Sequence, residues 1–242
     1  MKGYGIDNGM KNYYSQHRQD EFLDQVIFHK KENGFFIDIG AHDGISFSNT
    51  YFLERKRKWK GICFEPNPKV FLQLVENRNS INENCCVGTA NGEVLFWQIS
   101  GYSEMLSGMK SSFDDKHISR IEKELKEKGG SLLEIKVPVR ELSSYDLIMN
   151  NKVNYLSIDT EGNEFDILKS IDFKINRIEV ISVENNYQDI NISSYLIDFG
   201  YKKVIKIGCD EIYILSELLT LSVKFRIFSW RVFQKIKRYT KK

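Results

Sequence analysis

Short apolar runs alternate with amphipathic segments along most of the 242-residue chain. A short apolar run fits a strand buried on both faces, and apolar residues three or four positions apart fit a helix that covers it. Strands that alternate with helices build a mostly parallel sheet with helices on both faces. The sequence therefore predicts an α/β, Rossmann-like doubly wound fold for residues 1–215, followed by a separate tail at 216–242.

The apolar runs and the amphipathic segments give the individual elements. Strands are predicted at residues 35–39, 61–65, 85–87, 93–99, 154–159, 178–184, 202–206 and 211–215. Helices are predicted at residues 20–31, 48–58, 68–78, 116–128, 164–170 and 192–199. Residues 91–140 interrupt the alternation, and we interpret them as an insertion beside the site, where loops often carry acceptor recognition.

Charge and composition exclude several classes of protein. The 35 basic and 33 acidic residues nearly balance, so no overall charge points to nucleic acid. The first residues lack the apolar core of a signal peptide, and no apolar run is long enough to span a membrane, so a cytoplasmic protein is expected. The four cysteines lack paired metal-site spacing and are expected to be reduced thiols.

The stretch FFIDIGAHDG (residues 35–44) places a strand before a glycine turn and a helix start, which is the geometry of a nucleotide site. A dinucleotide site prefers three glycines and no acid in the turn, but here only Gly40 and Gly44 are present, beside Asp38 and Asp43. Two carboxylates repel a pyrophosphate but suit the ammonium and sulfonium groups of S-adenosylmethionine (SAM). The charge pattern therefore favours SAM over a nicotinamide dinucleotide.

The next predicted strand ends in FEPNP (residues 64–68), where Glu65 can accept hydrogen bonds from both ribose hydroxyls and Asn67 is expected near the adenosine. An acid and a glycine after a strand also occur in ordinary turns, so Glu65 adds weight to the cofactor interpretation. Within the turn, His42 is more typical of a loop or packing residue than of a catalyst. The remaining predicted cofactor contacts are Ala41 and His42 in the turn, Ser48 at the start of the next helix, and Pro66 after the second strand.

A second acidic stretch, LSIDTEGNEFDIL (residues 156–168), supplies candidates for catalysis. Asp159 ends a predicted strand, Glu161 lies in the following turn, and Glu184 ends a further strand. An aliphatic hydroxyl does not ionise by itself near neutral pH, so a carboxylate must take its proton during methyl transfer. The same three carboxylates could instead hold Mg²⁺, although the prediction includes no metal.

Five stretches together resemble the FkbM family of SAM-dependent methyltransferases. They are YSQHRQDEFL (14–23), FIDIGAHDG (36–44), FEPNP (64–68), VPVRELSSYDL (137–147) and LSIDTEGNEFDIL (156–168), in the family's order. The resemblance implies a seven-stranded sheet with an antiparallel last strand, and O-methylation of sugars in surface polysaccharides or of other hydroxyls. It further implies that Gln16 and Asp20 close over the methionine end of SAM. Position 18 is arginine where the family often has a small residue.

The tail combines aromatic and basic residues, with eight basic and no acidic residues in 222–242. Apolar side chains recur at helical spacing at Leu221, Phe225, Phe228, Val232, Ile236 and Tyr239. This pattern predicts an amphipathic helix that lies on a membrane surface, and equally fits a helix packed on the sheet or on a second subunit. A nucleic-acid partner is not predicted, because the aromatic residues follow one side of the helix.

These patterns predict an O-methyltransferase that acts on a hydroxyl of a sugar, a glycan or a related small molecule. A nucleotide-sugar transferase would need a basic or metal site beside the glycine turn, where Asp38 and Asp43 stand instead. A membrane-attached module that binds SAM without catalysis is the other alternative. Loss of SAM binding, or activity that survives changes at Asp159 and Glu161, would favour it.

Overall fold

The computed structural model describes residues 13–186 and 189–240, with side chains described up to residue 237. A seven-stranded sheet forms its centre. Its strands are β1 (Phe35–Ile39), β2 (Lys60–Phe64), β3 (Ile81–Glu83), β8 (Tyr155–Ile158), β9 (Val180–Glu184), β10 (Tyr201–Ile207) and β11 (Asp210–Leu215). The order across the sheet is β10-β11-β9-β8-β1-β2-β3.

Strand direction agrees with the predicted fold. Strand β1 pairs in parallel with β2 on one side and β8 on the other, and β8 pairs in parallel with β9. Strand β11 is antiparallel to both of its neighbours. The doubly wound sheet and its antiparallel last strand are thus confirmed, and the order reverses between β1 and β8, where a crevice opens at the strand ends.

Eight helices surround the sheets in the described part of the chain. They are α1 (Gln19–Phe22), α2 (Tyr51–Arg57), α3 (Pro68–Asn77), α4 (Asp115–Lys128), α5 (Asp146–Asn150), α6 (Glu164–Ser170), α7 (Ile190–Asp198) and α8 (Leu221–Thr240). A π-helical turn, Leu23–Ile27, continues α1. The predicted first helix is therefore too long, because His29 and Lys30 adopt left-handed backbone conformations that end it.

The third strand of the main sheet lies earlier than predicted. Strand β3 at Ile81–Glu83 pairs with β2, whereas β4 (Cys86–Val87) pairs with a strand of a second sheet. The residues of β3 are exposed or half-buried at the sheet edge, so they lack the apolar run expected of a central strand. The apolar run at 85–87 reflects burial between the two sheets.

The insertion forms a second sheet in the order β4-β7-β5-β6. Its other strands are β5 (Gly92–Ser100), β6 (Gly108–Met109) and β7 (Ser131–Arg140). Strands β5 and β7 pair antiparallel along their length. The strand at 93–99 and the charged helix are confirmed. The first half of β7 is exposed, including the apolar side chains of Leu132 and Leu133, so it is not the buried apolar run by which strands were predicted.

The tail is helical, and its packed face is not the predicted one. Ile227 and Trp230 of α8 are buried, and the Trp230 ring meets Phe22 at 5.6 Å between ring centroids. The predicted apolar residues Leu221, Phe225, Phe228, Val232 and Ile236 are all exposed. The side chain of Tyr239 and residues 241–242 lie outside the described part, as do residues 1–12 of the predicted N-terminal segment. Among the described helices, none is both long and apolar enough to cross a membrane.

A buried arginine holds the glycine turn after β1 in place. The Arg78 guanidinium has no exposed surface and donates to Glu54 Oε2 at 2.5 Å, to Thr50 Oγ1 at 2.9 Å and to the Gly44 carbonyl at 3.1 Å. Thr50 in turn donates to Asp38 at 2.5 Å. A Cβ on Gly44 would lie 2.6 Å from Arg78 Cγ, so glycine there makes room for the arginine.

Replacing Arg78 by methionine is expected to lower the free energy of unfolding by about 3–5 kcal/mol, because Glu54 and Asp38 lose their buried cation. Urea denaturation measures the change. The matched control is Arg55→Met, since Arg55 is exposed on α2 and its loss should stay within about 0.5 kcal/mol. Equal stability of the two variants would contradict the role given to Arg78.

Candidate active site

A cavity of about 840 Å³ opens where β1, β2, β8 and β9 end. The ends of these strands form one wall, and loops of the insertion form the opposite wall. The predicted site residues that line it are Gln16, Asp38, Gly40, Ala41, His42, Ser48, Glu65, Pro66, Asn67, Asp159, Glu161 and Glu184. The structure thus brings the predicted cofactor and catalytic residues to one crevice, beside the insertion as expected.

Three predicted cofactor residues do not line this cavity and shape its loops instead. Asp20 is buried and accepts the backbone N–H of Tyr14 at 2.5 Å. Asp43 accepts the N–H groups of Ile45 and Ser46 at 2.8 and 2.7 Å. These carboxylates satisfy backbone donors, so they position the turn, and Gly44 accommodates Arg78 as described above.

Glu65 has the environment of a ribose-binding carboxylate. It is buried at the end of β2, and its two oxygens accept the N–H of His42 at 2.9 Å and of Asn67 at 2.8 Å. Burial raises the pKa of Glu65 to about 7, despite these hydrogen bonds. Each oxygen retains a second lone pair, so Glu65 can accept hydroxyl groups from the cavity.

Asn49 is a cavity residue that sequence reasoning missed. Its amide nitrogen donates to Ser157 at 3.3 Å, and its buried Oδ1 has no hydrogen-bond donor among the described residues. A buried acceptor without a donor suits an ammonium group such as that of SAM. The polar stretch that contains Asn49 carries no periodic signal, so only the fold identifies it.

Gly40 brings the two central strand ends together. It has a φ of +84°, and a Cβ there would lie 1.7 Å from the carbonyl oxygen of Asp159. No residue with a side chain fits this contact. The glycine predicted for the cofactor turn therefore also sets the distance between that turn and the acidic residues after β8.

The carboxylates of Asp159, Glu161 and Glu184 form an acidic trio whose nearest oxygens all lie within 4.8 Å of one another. Asp159 is accessible from the cavity, yet the surrounding protein and the charges of Glu184 and Asp210 raise its pKa well above the usual range. Burial, followed by the charge of Glu184, raises the pKa of Glu161 to about 8. Asp159 and Glu161 therefore retain protons near neutral pH and can exchange them with a bound molecule.

His117 of the insertion lies behind the trio and was not predicted. Its buried Nδ1 is 3.8 Å from Glu161 Oε2 and has no hydrogen-bond partner among the described residues. Its Nε2 lies 3.3 Å from the Leu106 carbonyl, and its ring stacks on Phe113. Burial lowers the pKa of His117, so a neutral ring faces the trio.

The Glu65→Gln change is expected to weaken binding of S-adenosylhomocysteine about tenfold or more, because hydrogen bonds to a charged acceptor are the stronger ones. With wild-type protein, affinity should fall as the pH drops below about 7, since protonation removes the carboxylate. Calorimetric titration measures both effects. Glu93→Gln, at an exposed position of β5, is the control. Binding that is independent of both pH and Glu65 would contradict this assignment.

The geometry of the site agrees with the similarity of the chain to known methyltransferases. The family model of the Methyltransferase FkbM domain matches residues 38–203. "Methyltransferase 1" of Beauveria bassiana (strain ARSEF 2860) is 26% identical over 177 residues, which cover 63% of this chain and 67% of that protein.

Two solved structures are also similar to the chain. The methyltransferase FkbM from Methylobacillus flagellatus KT aligns with 13% identity and a TM-score of 0.46 over 83% of this chain. The chain spans about half of that structure, 48%. The delta-N METTL16 methyltransferase domain aligns with 10% identity and a TM-score of 0.36, over 81% of this chain and 78% of that one.

The family match spans more than half of the chain and includes the glycine turn, Glu65 and the acidic trio's Asp159 and Glu161. The cofactor of this family is SAM. Glu65 and Asn49 offer hydrogen-bond acceptors suited to the ribose hydroxyls and to the ammonium group of SAM, respectively. On this evidence, the protein belongs to the FkbM family of methyltransferases.

Proposed function

We propose that the protein is an O-methyltransferase that methylates a hydroxyl of a sugar or glycan, of the surface polysaccharide type, or of a related small acceptor. The observation that carries the proposal is the acidic trio, Asp159, Glu161 and Glu184, in the cavity that also contains Glu65. Transfer to a hydroxyl needs a group that takes up a proton, and three close carboxylates provide one.

Bound SAM supplies a methyl group on its sulfonium, so that a C–O bond forms as the C–S bond breaks, S-adenosylhomocysteine leaves and the acceptor proton passes to a carboxylate. Asp159 and Glu161 suit this last task because burial and neighbouring charges make these two carboxylates stronger bases than usual. Gly40 keeps Asp159 against the cofactor turn, which favours alignment of the acceptor with the methyl group.

The wall of the insertion favours a sugar as the acceptor. Tyr102 lines the cavity and is 72% exposed, so its ring is open to the apolar face of a pyranose. Glu104, Arg120 and Glu124 also line this wall and offer charged groups that can bond to hydroxyls. This mixture of one aromatic face and several polar groups supports a carbohydrate more than an apolar acceptor.

The two alternative functions differ in what the cavity should contain. A nucleotide-sugar transferase needs positive charge or a metal beside the cofactor turn. The carboxylates of Asp38 and Asp43 lie there, and the charge of the neighbouring Arg78 is buried and matched by Glu54. A scaffold that only binds SAM has no use for carboxylates whose pKa values are raised, as those of Asp159 and Glu161 are. Transfer of a labelled methyl group from SAM to a sugar separates both alternatives from the proposal.

Changing Asp159 to asparagine is expected to lower the rate of methyl transfer by about 10²–10⁴-fold, since that is the usual contribution of a general base. Transfer of tritiated methyl groups to a panel of sugars and sugar phosphates measures the rate. Affinity for S-adenosylhomocysteine should remain within about threefold of wild type. Asp166→Asn, at an exposed position of α6, is the matched control. Full activity of the Asp159 variant would exclude it as the base.

The rate is also expected to rise with pH through about 8, because the trio must lose a proton before it can accept one. In Glu161→Gln the rise should shift to lower pH, since the charge of Glu161 contributes to the raised pKa of Asp159. A pH profile of kcat/KM tests both statements. Activity that EDTA abolishes and Mg²⁺ restores would instead assign the trio to a metal.

We also propose that the enzyme associates with the cytoplasmic surface of a membrane through α8. Its apolar residues Leu221, Phe225, Phe228, Val232 and Ile236 are exposed and follow the side of the helix opposite to Ile227 and Trp230, which are buried. A stripe of this kind on a helix that cannot span a bilayer suits insertion into the interface.

Charge favours a lipid surface over a second copy of the chain. Lys224 and Lys235 lie along one flank of the exposed stripe, where lysine can reach lipid headgroups, while Arg231 of the same flank is held by the carbonyl of Val204. Pairing two such helices would bring like charges together, because residues 222–242 contain no acid. An anionic bilayer can bury the apolar stripe in its interface and pair its headgroups with the basic residues of the flank.

The double change Phe225→Ser and Phe228→Ser is expected to weaken binding to vesicles of phosphatidylglycerol and phosphatidylcholine at least about tenfold, because two exposed aromatic rings lose their lipid contacts. Vesicle sedimentation measures the binding. The control, Leu72→Ser with Val75→Ser, removes exposed apolar side chains from α3. Failure of the wild type to bind, or dimers that dissociate in the Phe variant, would contradict the membrane proposal.

A further inference from the structure

A second cavity of about 900 Å³ lies between α8, the end of β10 and the loop that precedes α1. We call it the basic groove. The cationic side chains among its lining residues are Arg18, Lys206, Arg231 and Lys235, and His17 lines it as well. Among the described residues that line the groove, none is an aspartate or a glutamate, although Glu21 outside the groove pairs with Arg18. A concave surface that concentrates positive charge in this way attracts anions.

Two of these cations are held at the groove by hydrogen bonds to backbone carbonyls. Lys206 donates to the carbonyl of Asn185 at 3.1 Å, and Arg231 donates to the carbonyl of Val204. A neutral carbonyl orients each side chain without cancelling its charge. Lys206 and Arg231 are therefore exposed cations whose side chains are positioned at the groove.

An unsatisfied donor provides a second observation. Gln234 lines the groove, and its side-chain nitrogen is buried without a hydrogen-bond acceptor among the described residues. Buried polar atoms in folded proteins are normally satisfied by protein, water or ligand. A ligand rich in oxygen atoms would satisfy Gln234 and the cations together.

Left-handed backbone conformations at Gly208 and Arg18 shape the side of the groove that faces α8. Gly208 has a φ of +62°, and a Cβ there would lie 2.1 Å from the His17 ring, so only glycine allows this contact. Arg18 has a φ of +72°, a left-handed backbone conformation that is uncommon for a residue with a side chain. In this chain, its guanidinium lies 5.8 Å from the centre of the Trp230 ring, at the groove.

The basic groove adjoins the cavity that contains the acidic trio. Gln16 lines both cavities, and the consecutive residues Gly208 and Cys209 line one each. The Cys209 thiol donates to Glu184 Oε1 at 3.3 Å. One elongated acceptor could therefore contact both the trio and the groove.

We propose that the basic groove binds the phosphate or diphosphate group of the acceptor while the hydroxyl to be methylated lies at the acidic trio. This inference rests on the proposed function and narrows its substrate class to phosphorylated sugars, carried by a lipid or by a nucleotide. The groove binds the phosphate group without breaking any bond in it. The phosphate contacts fix the register of the sugar relative to Asp159.

Calorimetric titration of the full chain, loaded with S-adenosylhomocysteine, with inorganic pyrophosphate tests the groove. One pyrophosphate per chain is expected, and Arg231→Gln with Lys235→Gln should weaken it at least about tenfold, because charge-assisted hydrogen bonds are lost. The matched control, Lys56→Gln with Lys174→Gln, removes equal charge from exposed positions outside the groove. Equal affinity in both double variants, or no binding at all, would overturn the proposal.

Affinity for S-adenosylhomocysteine, measured on the same samples, keeps the two proposals separate. If S-adenosylhomocysteine binds and pyrophosphate does not, only the assignment of the groove fails. If it does not bind, the proposed function fails whatever pyrophosphate does.

Competitors then identify the carrier of the phosphate. Displacement of pyrophosphate by a polyprenyl diphosphate sugar in phosphatidylcholine vesicles supports a lipid-linked acceptor, and displacement by a nucleoside diphosphate sugar supports a nucleotide-linked one. Displacement by phosphatidylglycerol vesicles without a sugar would instead assign the groove to lipid headgroups and overturn the proposal. Displacement by neither of the two diphosphate sugars overturns the assignment of the groove to the acceptor.

Discussion

The arrangement of the site depends on one buried cation. Arg78 lies in the interior between the glycine turn after β1 and helix α2, where its charge is matched by Glu54 and approached by Asp38 at 3.8 Å. Its bond to the Gly44 carbonyl ties the turn to the end of α3. A buried ion pair that also satisfies backbone groups resists rearrangement, because any movement leaves a charge unpaired in the interior. The cofactor turn therefore keeps its shape before any ligand binds.

The same type of side chain serves three purposes in this crevice because its neighbours differ. Asp43 accepts several N–H and O–H donors, which lower its pKa and keep it ionised in the turn. Glu65 is bonded to two backbone N–H groups, but burial still raises its pKa, which suits an acceptor of hydroxyl groups. In the trio, burial and then the charges of neighbouring carboxylates raise the pKa values of Asp159 and Glu161. Local partners, rather than residue type, thus distinguish the structural carboxylate from those proposed for binding and for proton transfer.

The segments that the fold adds to the central sheet determine what the site can accept. The insertion places Tyr102 at the cavity and His117 behind Glu161, so the proposed acceptor recognition and the environment of Glu161 both depend on it. Helix α8 packs through Ile227 and Trp230 and leaves its other side free, while its edge forms the basic groove. A membrane surface and a phosphorylated acceptor would thus meet the enzyme on neighbouring faces of one helix.

The sequence alone determined the doubly wound sheet, the cofactor turn, Glu65 and the candidate trio, because buried strands and glycine turns leave local signals in composition and spacing. It did not reveal β3, most of β7, Asn49 or His117. These residues are polar or exposed, and their roles come from partners distant in the chain. The tail shows the same limit: its amphipathic pattern was evident, but the tertiary structure decided that Ile227 and Trp230 pack while the more regular apolar stripe remains exposed. Periodicity identifies an apolar face, whereas only the surfaces available for packing decide which face is buried.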